Sequence, residues 1–229
     1  MKKLFAITTN VLRFTDAMNR LKNRDTGVPG MGLLYGEPGL GKSRTALWWT
    51  IGNGGVFIRT KKIQSPRWLL EEIVSELGEA PANRTSDLFR QIQDQLMDHP
   101  RPIIIDEADR ISLDALETLR DIADITEAPI VCIGMGQADK RLQRHKHLFD
   151  RFSEIVKFTE LSRADVTSIA EQLCEIPISE DGTQWIHSKS SRFRRVILWF
   201  YRSEAHAKRN DLKAVTAADL REIEKGLDK

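Results

Sequence analysis

The stretch LLYGEPGLGKSRTAL, residues 33–47, limits what this chain can fold into more than any other segment. An apolar run enters a loop carrying Gly36, Gly39 and Gly41, and a helix-like tail leaves it. Glycine loses more conformational freedom on folding than any other residue, so such a cluster implies backbone geometry that side chains forbid. The segment Gly36-Glu37-Pro38-Gly39-Leu40-Gly41-Lys42-Ser43 fits G-x-x-x-x-G-K-[ST] in the strand–loop–helix context that the motif requires. Its inward-turned N–H groups form an anion-binding concavity. The helix that follows adds unpaired N–H groups and a positive dipole end. A nucleotide is the expected ligand. Residues 36–43, with Arg44, are its expected contacts: Lys42 reaches the β- and γ-phosphates, and the Ser43 hydroxyl ligates Mg²⁺.

A second apolar run ends in matching chemistry. In PIIIDEAD, residues 102–109, Asp106 closes a strand and is placed to hold Mg²⁺ directly or through water. Glu107 beside it can orient and deprotonate an attacking water. A small-molecule kinase, the other common use of such a loop, needs an acceptor pocket and no water-activating glutamate. The pair therefore points to hydrolysis of ATP.

Between and beyond these motifs, strand and helix patterns alternate. Helical spacing of Val11, Phe14, Met18 and Leu21 predicts a helix over 10–24 capped by Asn10, and MGLLY (31–35) reads as a buried strand. The expected order continues with a helix over 42–51, a strand over 55–60 and a helix over 65–78. That last helix is punctuated by Ser65, Pro66 and Gly78. Then come a helix near 86–98, the strand 102–106, a Ser112-capped helix, a strand over 129–134, a helix near 138–147 and a strand over 154–158. Such alternation, with β-branched apolar strands, predicts an α/β domain: a mostly parallel sheet covered on both faces. After Leu161 only helical patterns remain, which predicts an α/β domain over 1–160 and a small helical domain over 161–229.

At 229 residues, 41% hydrophobic and 30% charged, the chain has the composition of a globular protein with a solvated surface. No apolar run approaches the roughly 18–20 residues of a membrane span. The start, MKKLFAITTN, has too short an apolar part for a secretory signal, so a cytoplasmic protein is expected. Cys132 and Cys174 lack any CxxC partner and are expected as buried thiols. Net charge is only +2, but the basic residues cluster. Arg59, Lys61, Lys62 and Arg67 stand together without an acid, and residues 187–210 carry many basic residues against Glu204 alone. Each cluster reads either as a solvated face or as a nucleic-acid contact.

GEPGLGKS, IIIDEAD, a polar residue beyond the fourth strand, an arginine before the last strand and a helical tail together resemble the AAA+ ATPases. The resemblance spans nearly the whole chain. Within that class, TTNVLRF…MGLLYGEPGLGKS and SSRFRRV are similar to the target-selector ATPases of DNA transposition, the MuB and TnsC group of transposable phages and transposons. The resemblance implies an AAA+ core with a five-stranded sheet and a helical lid. It implies a sensor polar residue at Gln137 and an arginine finger supplied in trans by Arg151, with Arg141 and Arg144 as substitutes. It also implies a nucleotide-contacting lid arginine at Arg194 or at Arg195. A homo-oligomeric ring or helical filament would wind around duplex DNA, holding its backbone without reading sequence through Arg59, Thr60, Lys61 and Lys62, and would act on a transposase partner. Members such as the phage protein carry a helix-turn-helix domain ahead of this core. Only about 35 residues precede the loop here, so the interior of the assembly is the expected DNA contact. Two other readings stay open: another AAA+ handler of DNA such as a helicase loader, and a nucleotide-switched protein-interaction ATPase with no DNA role.

Overall fold

The computed structural model describes residues 1–61 and 65–227. The chain divides into two compact units. One comprises residues 13–38 and 42–158, and the other residues 1–12, 39–41 and 159–229.

The first unit is an α/β sandwich built on a five-stranded parallel sheet in the order β2-β3-β4-β1-β5. The strands are β1 (Met31–Tyr35), β2 (Val56–Arg59), β3 (Ile103–Asp106), β4 (Ile130–Ile133) and β5 (Phe152–Lys157). Sequence and position agree. IIID and IVCI are buried throughout, and MGLLY is buried up to its last residue, as inner strands covered on both faces must be. The two edge strands instead alternate between buried and more exposed positions.

The helices over this sheet are α2 (Lys42–Gly52), α3 (Pro66–Leu77), α4 (Thr85–Asp98), α5 (Leu113–Thr126) and the short α6 (Ala138–Gln143) and α7 (Lys146–Phe149). The starts of α3 and α5 follow the expected chemistry. Ser65 accepts from the Trp68 N–H and Ser112 from the Ala115 N–H, while Gly78 ends α3 in the left-handed conformation. Leu69, Ile73, Leu88, Ile92, Leu119 and Ile122 pack with the strands into one core. The single helix expected near 138–147 is two short ones, interrupted where the Arg144 and His145 N–H groups tighten onto carbonyls three residues back.

The helix α1 (Thr9–Lys22) starts one residue earlier than expected, and Asn10 is not its cap. Thr8 closes the first turn instead, its carbonyl accepting from the Leu12 N–H at 3.0 Å. The Asn10 amide donates to the Thr159 carbonyl at 2.7 Å and accepts from the Thr159 N–H at 3.2 Å. Further along α1, Phe14 meets Trp49 of α2 edge-to-face at 6.2 Å.

The second unit holds α8 (Arg163–Leu173), α9 (Glu180–Lys189), α10 (Phe193–Arg209) and α11 (Ala217–Leu227) around Leu161, Ile169, Ile186, Val196, Phe200 and Leu220. The first twelve residues, assigned by the sequence reading to the α/β domain, cluster here. Asp165 is the reason. It forms a capping box with Ser162, and its Oδ1 accepts from both the N–H (2.8 Å) and the hydroxyl (2.9 Å) of Thr9. Burial pushes the Asp165 carboxyl up, but the donors on Thr9 and Ser162 outweigh it and hold the group below the usual carboxylate range. A depressed folded-state value contributes stability above the unfolded value and loses it as pH falls through the folded one. Asp165→Ala should cost about 1–3 kcal/mol in urea unfolding at pH 7, and the difference from the parent should shrink below pH 4.

Cys132 and Cys174 are both buried and unpaired, and burial pushes each thiol up to about 12. Of the basic run 187–210, Lys189 pairs with Glu224 and Lys208 with Glu175, acids from outside that window. Glu204, its only internal acid, is buried and accepts from the Glu175 N–H. Among the described residues no helix is long and apolar enough to cross a membrane.

Candidate nucleotide and metal site

Because the strands run parallel, their carboxyl ends share one edge of the sheet. The loop after β1 and the Asp106 end of β3 both open there. Gly39 (φ 85°) and Gly41 (φ 97°) occupy the left-handed region that side chains resist, the property the loop motif implied. Lys42 folds back over the loop, its Nζ donating to the carbonyls of Gly36 at 2.6 Å and Glu37 at 3.0 Å. Burial pulls the Lys42 ammonium below the usual lysine value, opposed by the charges of Asp106, Asp109 and Glu37. A partly desolvated cation among carbonyls is a strong attractor for phosphate. Arg44 is exposed on the first turn of α2.

The two residues expected to hold metal are together. The Ser43 hydroxyl donates to Asp106 Oδ1 at 3.0 Å, across 63 residues of sequence. The oxygen pair that hard Mg²⁺ prefers, a hydroxyl and a carboxylate, thus lies beside the phosphate loop, and the site fits that ion. Asp106 is buried at the end of β3 and also accepts the Glu107 N–H at 3.0 Å.

Glu107 is one of the non-glycine residues with positive φ, at 58°. That conformation costs roughly 1–2 kcal/mol for an L-residue and persists only where neighbours impose it. Here they fix both sides of the residue. Its N–H is held by Asp106, and its carbonyl accepts the Thr60 hydroxyl at 2.8 Å. The Arg110 Nη1 stands 2.5 Å from Glu107 Oε2.

Sequence reading missed two further contacts. Arg59 and Asp106 are register partners at the ends of adjacent strands, and the Arg59 Nε donates to Asp106 Oδ2 at 2.9 Å. Asp109, the last acid of DEAD, accepts the Met135 N–H at 2.6 Å and so fixes the segment leaving β4. Acid and base closing two strands is a usable signal only once those strands are known to be neighbours, and strand order is not written in the sequence.

The remaining expected residues are not gathered at this point. Gln137 is exposed just ahead of α6. Arg151 lies at the opposite edge of the sheet, where its carbonyl accepts the Met31 N–H and its guanidinium faces Asp124 at 3.6 Å. Arg141 donates to the Asp109 carbonyl at 2.5 Å, and Arg144 is exposed. In the helical unit the Arg194 N–H donates to the Gly39 carbonyl at 3.0 Å, while the side chains of Arg194 and Arg195 are exposed.

Of the expected DNA contacts, Thr60 is a correction. It is 1% exposed, its N–H bonds the Asp106 carbonyl and its hydroxyl bonds Glu107, so it is a strut of the site and offers nothing to a partner. Arg59 is exposed, and its Nε lies on Asp106. Lys61 is exposed and its ammonium lies 5.2 Å from the Trp68 ring centre. Lys62 lies outside the described residues.

The AAA domain family matches residues 25–142, just over half of the chain and all of the phosphate loop and the IIIDEAD segment. The chain is a member of the AAA domain family. It is 29% identical over 149 residues to the ATP-dependent target DNA activator B of Escherichia phage Mu, covering 61% of this chain and 47% of that one. It is 32% identical over 99 residues to a potential ATP-binding protein of Staphylococcus aureus, covering 43% and 34%. The chain thus spans less than half the length of these relatives. The fold is shared with the Aeropyrum pernix ORC2 protein, solved in ADPNP and ADP complexes: TM-score 0.72 at 14% identity, with 97% of this chain and 69% of that one covered. This AAA chain is thus similar in sequence to a protein named for ATP-dependent action on target DNA, and similar in fold to one solved with ADPNP and ADP.

Proposed function

We propose that this AAA chain hydrolyses ATP with Mg²⁺, assembles on duplex DNA without reading its sequence, and selects targets for a transposase in the cytoplasm. The observation that carries the reading is that the carboxylates expected at the nucleotide and a basic stretch of sequence meet at one strand end. Arg59 touches Asp106, and Thr60 touches Glu107, immediately before Lys61 and Lys62. The activity for which the phage relative is named supplies the rest: it is a target DNA activator that depends on ATP.

In this reading Lys42 exchanges its loop carbonyls for phosphate oxygens, and loop N–H groups hold the same phosphates. Ser43 and Asp106 hold Mg²⁺, which when bound neutralises charge on the phosphates. Glu107 orients a water and takes its proton. Gln137 hydrogen-bonds the γ-phosphate or that water, and Arg194, with Arg195 as its substitute, reports the nucleotide to the helical unit. Arg151 lies far from its own loop and serves the site of a neighbouring protomer, with Arg141 and Arg144 as substitutes, so assembly completes the site and ATP favours assembly. A ring or filament then sums a few phosphate contacts per protomer into tight binding.

Replacing Lys61 and Lys62 by alanine should weaken binding to random duplex and reduce the slope of log K against log salt by about 1–2 for each protomer's contact. Fluorescence anisotropy at a series of salt concentrations measures it. An unchanged slope would move the contact to the basic run 187–210. DNA binding that is absent in every nucleotide state at low salt would favour a protein-interaction ATPase instead.

A further inference from the structure

We infer that Arg59 is a positioning residue shared between the metal-site carboxylate and the DNA backbone, so that DNA and the metal–nucleotide complex each strengthen binding of the other. The inference deepens the proposed DNA function and rests on it. Parallel register places Arg59 directly beside Asp106, on the same side of the sheet, at the last residue of each strand. Its Nε holds Oδ2 at 2.9 Å while Oδ1 takes the Ser43 hydroxyl and the Glu107 N–H, so donors from this chain engage both oxygens of the carboxylate. The Asp106 side chain is 2% exposed, whereas that of Arg59 is 57% exposed. One partner is fixed and the other can leave.

A divalent cation placed at Asp106 and Ser43 meets the Arg59 guanidinium within the same few ångströms. Like charges in a partly desolvated site repel, so metal binding favours release of Arg59. Released, Arg59 stands two residues from Lys61 on the basic segment, where a DNA phosphate offers the bidentate geometry that guanidinium prefers. DNA that captures Arg59 in turn uncovers Oδ2 for the cation. Thr60 keeps the exchange local. Its N–H and hydroxyl tie the strand end to the Asp106 and Glu107 carbonyls, so the arginine head can move while the strand stays.

The test follows free Mn²⁺ by electron paramagnetic resonance as the chain is titrated with the ion and a non-hydrolysable ATP analogue, with and without random duplex DNA. In the parent, DNA should lower the half-saturating Mn²⁺ about fivefold to tenfold, a common size for coupling between sites. Arg59→Gln should bind Mn²⁺ more tightly without DNA by a similar factor, and DNA should then change little; Arg59→Lys, which keeps the charge, should recover most of the parent's response. Circular dichroism checks that both variants are folded. Weaker or unchanged Mn²⁺ binding by DNA-free Arg59→Gln would overturn the shared role, as would a full DNA effect in that variant. If the parent never binds DNA, the proposed function fails and so does the DNA half of the exchange, while the DNA-free comparison still decides whether Arg59 competes with the metal.

Discussion

Lys42→Ala should lower ATP affinity at least a hundredfold, to the point where micromolar nucleotide no longer binds. The reason lies in the geometry of the loop. The Lys42 ammonium is the cation turned into the loop, half-desolvated against the Gly36 and Glu37 carbonyls. Charge-assisted hydrogen bonds contribute about 1.5–3 kcal/mol each, and an alanine removes those to two phosphates at once. Isothermal titration with ATP measures the loss, and an analogue of ATP isolates binding from turnover. The fold should survive, because the lysine's partners are loop carbonyls that water can satisfy. Loss of DNA-dependent assembly should accompany the loss of nucleotide, since ATP is proposed to hold protomers together. A variant that binds ATP with near-parental affinity would remove Lys42 from the site.

Glu107→Gln separates binding from chemistry. A glutamine keeps the size and the hydrogen-bonding reach of the side chain but cannot accept a proton from water at neutral pH. Turnover should fall by about 10²–10⁴ while nucleotide affinity changes little. The strained φ of 58° is held by Asp106 and Thr60 through the main chain of residue 107, so the substitution leaves that conformation in place. Single-turnover hydrolysis with excess protein measures the step without product release. Phosphate release at the parental rate would show that another group activates the water.

Much of the fold was legible because its signals are local. Uninterrupted apolar runs at 31–35, 103–106 and 130–133 became inner strands. Ser65, Ser112 and Gly78 marked helix ends where they were expected. The left-handed glycines of the loop and the meeting of Ser43 with Asp106 were legible for a different reason: the motif sets those residue types at those spacings. What escaped depends on which segments become neighbours. Asn10 looked like a helix cap, yet tertiary contact with Thr159 outbid the local role. Thr60 looked like a loop residue open to a partner and is instead buried under Glu107, because β2 lies beside β3. The same adjacency makes Arg59 a partner of Asp106. Asp165 drew the first twelve residues to the helical unit, a contact across 156 residues that no window of sequence contains.

Direct imaging tests the central claim of ATP-controlled assembly on DNA. Negative-stain electron microscopy of the chain on random-sequence duplex, in Mg²⁺ with a non-hydrolysable ATP analogue, should show continuous protein along the DNA. The same grids with ADP, or with Lys42→Ala, should show bare duplex. Equal coverage with the analogue, ADP and no nucleotide, or bare duplex in all three at low salt, would contradict the account.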